Sequence, residues 1–256
     1  MIRCVLLDVA GVIYQGDRVL PGAAAAVERL HKAGLSLRFV SNTTRSPKQA
    51  VLDRLRRFGI PVGENELFTP AQAACAWLRD RGYAPHLLVH PALEGEFSDI
   101  PDGDKRAVVL GDVGTALNYT ALNNAFRALD DGAPFLALAN NRTFRDEDGK
   151  RSLDAGAFVA ALEFAGRRKA IVMGKPAKDF FLAALADMEG RPEDAAMIGD
   201  DAEADIAGAL DAGLGTALLV RTGKYHEGDE TRFEPQPTAV VDDIAAAADW
   251  ILKHRG

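Results

Sequence analysis

Apolar runs and helix-start signatures alternate along the first 82 residues of the chain. Val5 to Val9 and Leu35 to Val40 are short and mainly apolar, which is typical of strands buried on both faces of a parallel sheet. A helix is predicted from Pro21 through Lys32. Thr69-Pro70-Ala71-Gln72 has the N-cap, first-turn proline and capping-box glutamine that open another helix, ending near Gly82, and Ser46-Pro47-Lys48-Gln49 repeats this signature. The alternation predicts an α/β fold, a parallel sheet with helices on both faces.

The same alternation continues over the rest of the chain. Further strands are predicted at Leu87–Val89, Ala107–Leu110, Phe135–Ala139, Ala195–Ile198 and Thr216–Val220, and further helices at Tyr119–Leu129, Ala157–Ala165, Lys178–Met188, Ala204–Ala212 and Ile244–His254. We interpret the middle of the chain as a second α/β layer inserted into the first. The pattern alone does not distinguish this arrangement from one long sheet.

Composition and charge restrict the class of partner. The 256 residues carry a formal charge of −7, whereas nucleic acids and anionic membranes attract a basic face, so neither partner is expected. No apolar stretch approaches the roughly 20 residues that a membrane-spanning helix needs. The two cysteines, Cys4 and Cys75, lie in apolar or helical surroundings and are predicted to be buried free thiols, which favours a cytoplasmic location.

Several chemically active side chains lie next to predicted strands or helices. Asp8 ends the first apolar run, and Ser41 and Asn42 end the second. Ligands of open parallel sheets bind beyond the carboxyl ends of the strands, so these side chains would project into a binding crevice. Lys175 lies just before a predicted helix. Each stretch alone is also compatible with an ordinary turn or a solvated surface residue.

A cluster of acids follows the strand Ala195–Ile198. Asp200, Asp201, Glu203 and Asp205 fall within six positions, and such carboxylates repel one another unless a cation holds them. Hard oxygen ligands suit Mg²⁺. The cluster therefore predicts a magnesium site, with a solvated acidic helix start as the alternative.

In order along the chain, these four stretches resemble the four motifs of the haloacid dehalogenase superfamily. The likeness extends to subfamily IIA, a group that includes nitrophenyl-phosphatase-like and pyridoxal-phosphate phosphatases, through Tyr14 to Gly22, Gly111 to Tyr119, Gly132 to Phe135, Asn140 and Thr222 to Tyr225. The resemblance implies a Rossmann-like core at residues 1–82 and 172–256. It also implies an inserted α/β cap domain at residues 83–171 that contacts a small phosphorylated substrate and forms a possible homodimer interface.

The resemblance also implies a mechanism and a set of site residues. Asp8 would attack phosphorus and form an aspartyl-phosphate that water hydrolyses. Mg²⁺ would be held by Asp8, the backbone carbonyl of Ala10 and Asp200, and it would offset repulsion between the carboxylate and the phosphate. Asp201 or Asp205 would hold metal-bound water. The residues expected to stabilise the phosphoryl oxygens are Ser41, Asn42 and Lys175.

Ala10 departs from the superfamily pattern. Most superfamily phosphatases have a second aspartate here, two residues after the nucleophile, which serves as general acid and base. Such assistance typically contributes about 10²–10⁴-fold in rate. We therefore expect a phosphatase restricted to good leaving groups: phosphoramidates, pyrophosphate, acyl phosphates and aryl phosphates.

A phosphate-binding protein and a carbon–phosphorus hydrolase are the two alternatives to a phosphatase. A catalytically weak protein that binds a phosphorylated metabolite or partner remains the alternative, because a site without a proton donor can still bind. Carbon–phosphorus cleavage also occurs with alanine at this position, but it needs a lysine from a small helical cap. The dozen residues between Asp8 and Pro21 include no lysine, which excludes that chemistry.

Overall fold

The computed structural model describes residues 1–114, 117–145, 150–186, 188 and 190–255. These residues divide into two compact units. The first unit comprises Met1–Ser41, Gln49–Phe68 and Lys175–Gly256, and the second comprises Asn42–Lys48 and Thr69–Gly174. In the chain, the second unit is therefore inserted into the first. The predicted domain boundaries, after residues 82 and 171, stay a prediction.

The described elements alternate between strands and helices. The strands are β1 (Cys4–Asp8), β2 (Tyr14–Gln15), β3 (Arg18–Val19), β4 (Ser36–Val40), β5 (Leu67–Phe68), β6 (Ala84–Leu88), β7 (Arg106–Leu110), β8 (Phe135–Ala137), β9 (Thr143–Arg145), β10 (Arg151–Leu153), β11 (Ile171–Val172), β12 (Ala195–Gly199), β13 (Thr216–Val220) and β14 (Ala239–Val241). The α-helices are α1 (Ala23–Lys32), α2 (Lys48–Arg57), α3 (Pro70–Arg81), α4 (Tyr119–Asp130), α5 (Ala155–Gly166), α6 (Lys178–Leu185), α7 (Gly208–Asp211) and α8 (Ile244–His254). Short 3₁₀ turns occupy Glu64–Glu66, Pro91–Phe97, Pro192–Asp194 and Asp229–Thr231, and a π-helical turn, Ala202–Ala207, leads into α7.

Six of the described strands form the parallel sheet of the first unit, in the order β14-β13-β12-β1-β4-β5. Every residue of β1, β12 and β13 is buried, which agrees with the apolar runs that predicted them. Helices α1 and α8 pack on this sheet through residues such as Val27, Leu30 and Ile251. A sheet covered in this way directs its loops, and the side chains they carry, to its two ends.

The second unit contains its own parallel sheet. Four of its described strands follow the order β11-β8-β7-β6, and residues such as Val108, Leu110 and Phe135 pack beneath α4 and α5. Strands β9 and β10 pair antiparallel within the same unit. The predicted α/β fold class, with parallel sheets and helices, is confirmed.

Helix α3 shows how local sequence determines an element. The Thr69 side chain accepts a hydrogen bond from the backbone N–H of Gln72, the Gln72 side chain accepts one from the backbone N–H of Thr69, and Pro70 occupies the first turn. Gly82 ends the helix in the left-handed conformation that favours glycine. This predicted capping box is confirmed.

The pattern did not predict seven short strands of two or three residues each: β2, β3, β5, β9, β10, β11 and β14. Strands β5, β11 and β14 are only two or three residues long, and all three residues of β14 are only partly buried, so none gives a clear apolar run. Within the part of the chain that the structure describes, no helix is long and apolar enough to cross a membrane.

Candidate active site

Asp8 is the last residue of β1, at the carboxyl end of the first unit's sheet. Its strand lies between β4, where Val40 is its register partner, and β12, where Ile198 pairs with Leu7. Only 6% of Asp8 is exposed. The topology therefore brings the ends of three buried strands to one carboxylate.

The strand β12 delivers a second carboxylate to the same edge. Asp200 follows Gly199 and is 2% exposed. Asp205 is 1% exposed, and its Oδ2 accepts hydrogen bonds from the backbone N–H groups of Asp200 and Asp201, both at 3.2 Å. Gly199 permits this approach, because a Cβ there would lie 2.2 Å from the Asp205 Cβ.

A π-helical turn sets the position of Asp205. The backbone N–H groups of Asp205 and Ile206 both donate to the carbonyl oxygen of Asp201, at 2.9 and 3.3 Å. The wider turn orients Asp205 back toward the strand end that carries Asp200. π-helical turns of this kind are frequent at functional sites.

Lys175 is the counter-charge of this group. Its ammonium pairs with Oδ1 of Asp8 and, at 2.6 Å, with Oδ1 of Asp205, and the residue is 4% exposed. Pro176 packs against Gly208, where a Cβ would lie 2.7 Å from the proline Cβ, so the lysine backbone is held against the start of α7. Burial alone would lower the lysine pKa, but the charges of Asp205 and Asp8 raise it instead. Lys175 therefore remains a cation.

Three buried carboxylates meet within the described part of the chain. Asp8, Asp200 and Asp205 each offer an oxygen, and these atoms lie within 4.8 Å of one another. Burial, followed by the charges of Asp8 and Asp205, raises the pKa of Asp200 to about 8. Burial raises the pKa of Asp205 to about 6, with the Asp8 charge acting in the same direction and Lys175 opposing it. The charges of Lys175 on Asp205 and of Lys224 on Asp200 oppose these shifts without reversing them.

The donor set fits a hard divalent cation. It consists of buried carboxylate oxygens, and burial together with the neighbouring carboxylates raises the pKa of Asp200 and of Asp205, effects that a bound cation would oppose. Oxygen-only donors of this kind select Mg²⁺ rather than a softer metal. The cluster therefore suits the ion that the acidic motif predicted.

Asp201 differs from its neighbours. Its Oδ1 accepts hydrogen bonds from the backbone N–H groups of Glu203 and Ala204, at 3.2 and 2.9 Å, and its Oδ2 accepts one from the Lys224 ammonium at 3.0 Å. Burial alone would raise its pKa, but Lys224 and the N–H of Ala204 lower it. Asp201 thus serves as a helix N-cap paired with a lysine, and it is not part of the three-carboxylate cluster.

The remaining predicted residues occupy three different settings. Ser41 is 8% exposed and follows Val40, the register partner of Asp8, and its N–H donates to the carbonyl of Phe68. Ala10 is exposed, in the loop after β1. Asn42 belongs to the second unit, where its Oδ1 lies against the backbone of Gly174. Their roles with phosphate or metal stay predictions.

The segment Thr222-Gly223-Lys224 is a part of the site to which the sequence assigned no role. The Lys224 N–H donates to Oδ2 of Asp200 at 2.8 Å, and the Thr222 hydroxyl donates to the carbonyl of Gly11. The segment follows β13, the parallel neighbour of β12. That adjacency is the signal that could have identified it, because the carboxyl ends of neighbouring parallel strands lie side by side.

Comparison with known families agrees with this geometry. A family model described as haloacid dehalogenase-like hydrolase matches residues 5–123, and one described as HAD-hydrolase-like matches residues 172–247. The chain therefore belongs to the haloacid dehalogenase-like hydrolases and is a phosphatase enzyme of that family.

Two named relatives align along nearly the whole chain. It is 42% identical over 253 residues to human haloacid dehalogenase-like hydrolase domain-containing protein 2, covering 99% of this chain and 97% of the relative. It is 40% identical over 258 residues to phospholysine phosphohistidine inorganic pyrophosphate phosphatase of Xenopus laevis, covering 98% and 95%.

Solved structures show the same fold. The 4-nitrophenylphosphatase of Thermotoga maritima superposes with a TM-score of 0.88 at 27% identity, covering 97% of both chains. A glycerol phosphate phosphatase of Mycobacterium tuberculosis, solved in complex with magnesium, has a TM-score of 0.80 at 29% identity, covering 95% of this chain and 75% of the other.

Proposed function

We propose that this phosphatase is Mg²⁺-dependent and hydrolyses small phosphorylated substrates with good leaving groups through an aspartyl-phosphate on Asp8. The observation that carries the proposal is the buried group at the end of β1 and β12. There Asp8 shares an ammonium with Asp205 and lies beside Asp200. Substrates in this class are phosphoramidates, pyrophosphate, acyl phosphates and aryl phosphates.

The first step needs an ionised Asp8 with a compensated charge. A carboxylate oxygen of Asp8 attacks phosphorus, the phosphorus–leaving-group bond breaks, and the leaving group keeps the electron pair. Lys175 contacts Asp8 directly and remains protonated, so it reduces the repulsion that the incoming dianion meets. Ser41 and Asn42 are proposed to hold phosphoryl oxygens.

Asp8, Asp200 and the backbone carbonyl of Ala10 are the residues proposed to hold Mg²⁺. When bound there, the ion would offset the negative charge of the carboxylates and of the phosphoryl group. Asp205, which lies inside the carboxylate cluster, would hold water bound to the ion. Asp201 is the weaker candidate for that role, because it is not part of the three-carboxylate cluster and pairs with Lys224 instead.

In the second step, water attacks the aspartyl-phosphate and releases phosphate, and the Asp8 carboxylate is regenerated. An activating base must accept a proton from this water. The pKa of Asp201 is lowered, which makes that carboxylate a poor base. Asp205 pairs with Lys175 through Oδ1 and accepts two backbone hydrogen bonds at Oδ2, so both of its oxygens are already engaged and we assign it no role as the base.

Ala10 restricts the substrates. Its methyl group is exposed and cannot protonate a departing alkoxide. Leaving groups that depart as stable anions, or that are protonated before departure, need no such help. The names of two relatives agree with this class, since one is a pyrophosphate phosphatase and one a nitrophenylphosphatase. The magnesium complex of a third supports the choice of metal.

The test compares four substrates under one condition. Phosphate release is measured with Mg²⁺ from 4-nitrophenyl phosphate, pyrophosphate, a phosphoramidate and a sugar phosphate. Rapid turnover of the first three, with the sugar phosphate slower by about 10²-fold or more, is expected from the missing acid. Asp8→Asn should abolish turnover. Asp17→Asn makes the same change at a fully exposed side chain and should not. No release from any substrate, with phosphate still bound, would support the binding-protein alternative.

Two further predictions accompany this function. A cytoplasmic location is proposed from the two buried free thiols, Cys4 and Cys75, which are not joined in a disulfide. A homodimer formed through the inserted domain is proposed from the subfamily resemblance alone. Sedimentation analysis of the purified protein tests the dimer.

A further inference from the structure

The turn Thr222-Gly223-Lys224 encloses one oxygen of Asp200. The Lys224 N–H donates to Oδ2 of Asp200 at 2.8 Å. A Cβ added at Gly223 would lie 1.9 Å from this oxygen, and a Cβ added at Gly11 would also lie 1.9 Å from it. Oδ2 of Asp200 therefore occupies a slot that exists because both Gly11 and Gly223 lack a side chain.

Both glycines have left-handed backbone conformations. Their φ angles are +87° for Gly11 and +65° for Gly223, which residues with a Cβ rarely adopt. The two backbones approach so closely that a Cβ on Gly223 would lie 2.6 Å from the Gly11 Cα. The positive φ angle and the lack of room for a Cβ are two separate reasons why each of these positions requires glycine.

The same turn fixes the loop that carries Ala10. The Thr222 hydroxyl donates to the carbonyl of Gly11 at 2.5 Å, and the Gly11 N–H donates to the carbonyl of Tyr14 at 2.7 Å. The second hydrogen bond fixes the peptide plane that contains the Ala10 carbonyl, since a peptide N–H and C=O share one plane. The turn thus contacts Asp200, which follows β12, and the loop after β1 that carries the Ala10 carbonyl. Both groups are proposed to bind the metal.

We propose that Thr222-Gly223-Lys224 is a positioning element for the metal site, one that holds Asp200 and the Ala10–Gly11 loop at the spacing that Mg²⁺ requires. This inference rests on the proposed function. The turn orients Oδ2 of Asp200, and through it the whole carboxylate that would hold the cation. Partners that orient metal ligands in this way typically contribute about 10–100-fold in metal affinity.

The Thr222 hydroxyl gives the cleaner test. Mg²⁺ binding to the phosphate-free protein is measured by titration calorimetry for the wild type, Thr222→Val and Thr222→Ser. Thr222→Val keeps the side-chain shape and removes the hydrogen bond to Gly11, so a loss of about 10-fold in affinity is expected. Thr222→Ser keeps the hydroxyl and should restore most of it. A purely structural role would lower the melting temperature of the metal-free protein and leave the Mg²⁺ affinity of the folded fraction unchanged.

Gly223→Ala gives the larger effect and has a matched control. The new methyl would displace Asp200, so about 100-fold weaker Mg²⁺ binding is expected. Gly59→Ala imposes the same backbone penalty, at φ +73°, but nothing lies within 4 Å of its Cβ, so its Mg²⁺ affinity should equal that of the wild type.

The outcomes separate this inference from the proposed function. Wild-type affinity in both Thr222→Val and Gly223→Ala would overturn the positioning role and leave the phosphatase proposal intact. Equal losses in Thr222→Val and Thr222→Ser would also overturn it, because the hydroxyl would then have no part. A wild-type protein that binds no Mg²⁺ would instead overturn the proposed metal dependence.

Discussion

The two units of this molecule have similar architectures but carry different groups where their strands end. Each builds a parallel sheet covered by helices, and in each an acid follows a central strand. In the first unit, β1 and β12 end at Asp8 and Asp200, which are 6% and 2% exposed. In the second, β7 is followed by Gly111 and Asp112, and Asp112 pairs with the half-exposed Arg45.

The difference lies in charge compensation. In the second unit, the half-exposed Arg45 pairs with Asp112 and packs over the ring of Phe144 at 4.5 Å. The buried Asp154 carboxyl interacts electrostatically with both Asp112 and Arg45. In the first unit, Lys175 faces both Asp8 and Asp205, with Asp200 beside them, so the buried negative charge exceeds the positive. An ion pair with an exposed arginine is screened by water, whereas a buried cluster of three carboxylates around Lys175 favours a bound cation. The fold alone therefore does not define the site; the residues at the strand ends do.

The largest expected difference is in the free energy of unfolding, between a variant that lacks Lys175 and one that lacks Arg45. Lys175→Met leaves Asp8 and Asp205 buried without a counter-charge, and loss of a buried partner typically costs about 3–5 kcal/mol of unfolding free energy. Arg45→Met removes a partly exposed pair and should cost no more than about 1 kcal/mol. Urea unfolding of the metal-free variants measures both. Equal losses would show that the two ion pairs do not differ as described.

The next effect sharpens the role of Ala10. Ala10→Asp places a carboxyl group at an exposed position two residues after Asp8, where it can donate a proton to the leaving group. We expect kcat/KM for a sugar phosphate to rise about 10²-fold, with little change for 4-nitrophenyl phosphate. Ala10→Asn, which has a similar shape but no such proton, should raise neither. A uniform increase for both substrates would contradict the leaving-group argument.

The pH dependence of Mg²⁺ binding gives a smaller effect. Because the pKa of Asp200 is raised from 3.8 to about 8, the metal-free native protein retains a proton that the unfolded chain has lost between these values. The metal-free protein therefore loses stability as the pH rises through this window. Mg²⁺ needs the carboxylate, so its affinity should rise by up to about 10-fold per unit below pH 8. Melting curves with and without Mg²⁺ at pH 6 and pH 8 should show the larger stabilisation at pH 8.

The smallest effect is expected at Asp112. Asp112→Asn changes a strand-end acid of the second unit that pairs with Arg45 and is not a member of the carboxylate cluster. Its Mg²⁺ affinity should equal that of the wild type, while Asp200→Asn should lose most binding. Calorimetric titration of both variants tests this contrast. A comparable loss at Asp112 would remove the distinction between the two units.

Much of the fold and the centre of the site could be predicted from the sequence. Fully buried strands such as β13 give continuous apolar runs, and the predicted bounds of β13 and α8 match the structure. Asp8, Lys175 and Asp200 could be found because each lies beside a buried strand or a helix start. Parallel strands bring their carboxyl ends together, which is why residues far apart in the chain form one cluster.

Other features depend on geometry that the pattern does not carry. The segment Ala204–Ala212 was predicted as one regular helix, but it begins earlier, in the π-helical turn that orients Asp205. No periodicity in this alanine-rich stretch distinguishes the two. The role of Gly223 depends on a positive φ and on the close approach of Gly11, and a hydrophobic pattern records neither.

The central claim, a covalent phosphoryl group on Asp8, is tested most directly by trapping it. A single turnover of radiolabelled pyrophosphate with Mg²⁺ is quenched in acid, and the digested peptides are analysed for label. We predict label on the peptide that contains Asp8, sensitive to hydroxylamine and absent from Asp8→Asn. Turnover that persists in Asp8→Asn, or label on another residue, would contradict the account.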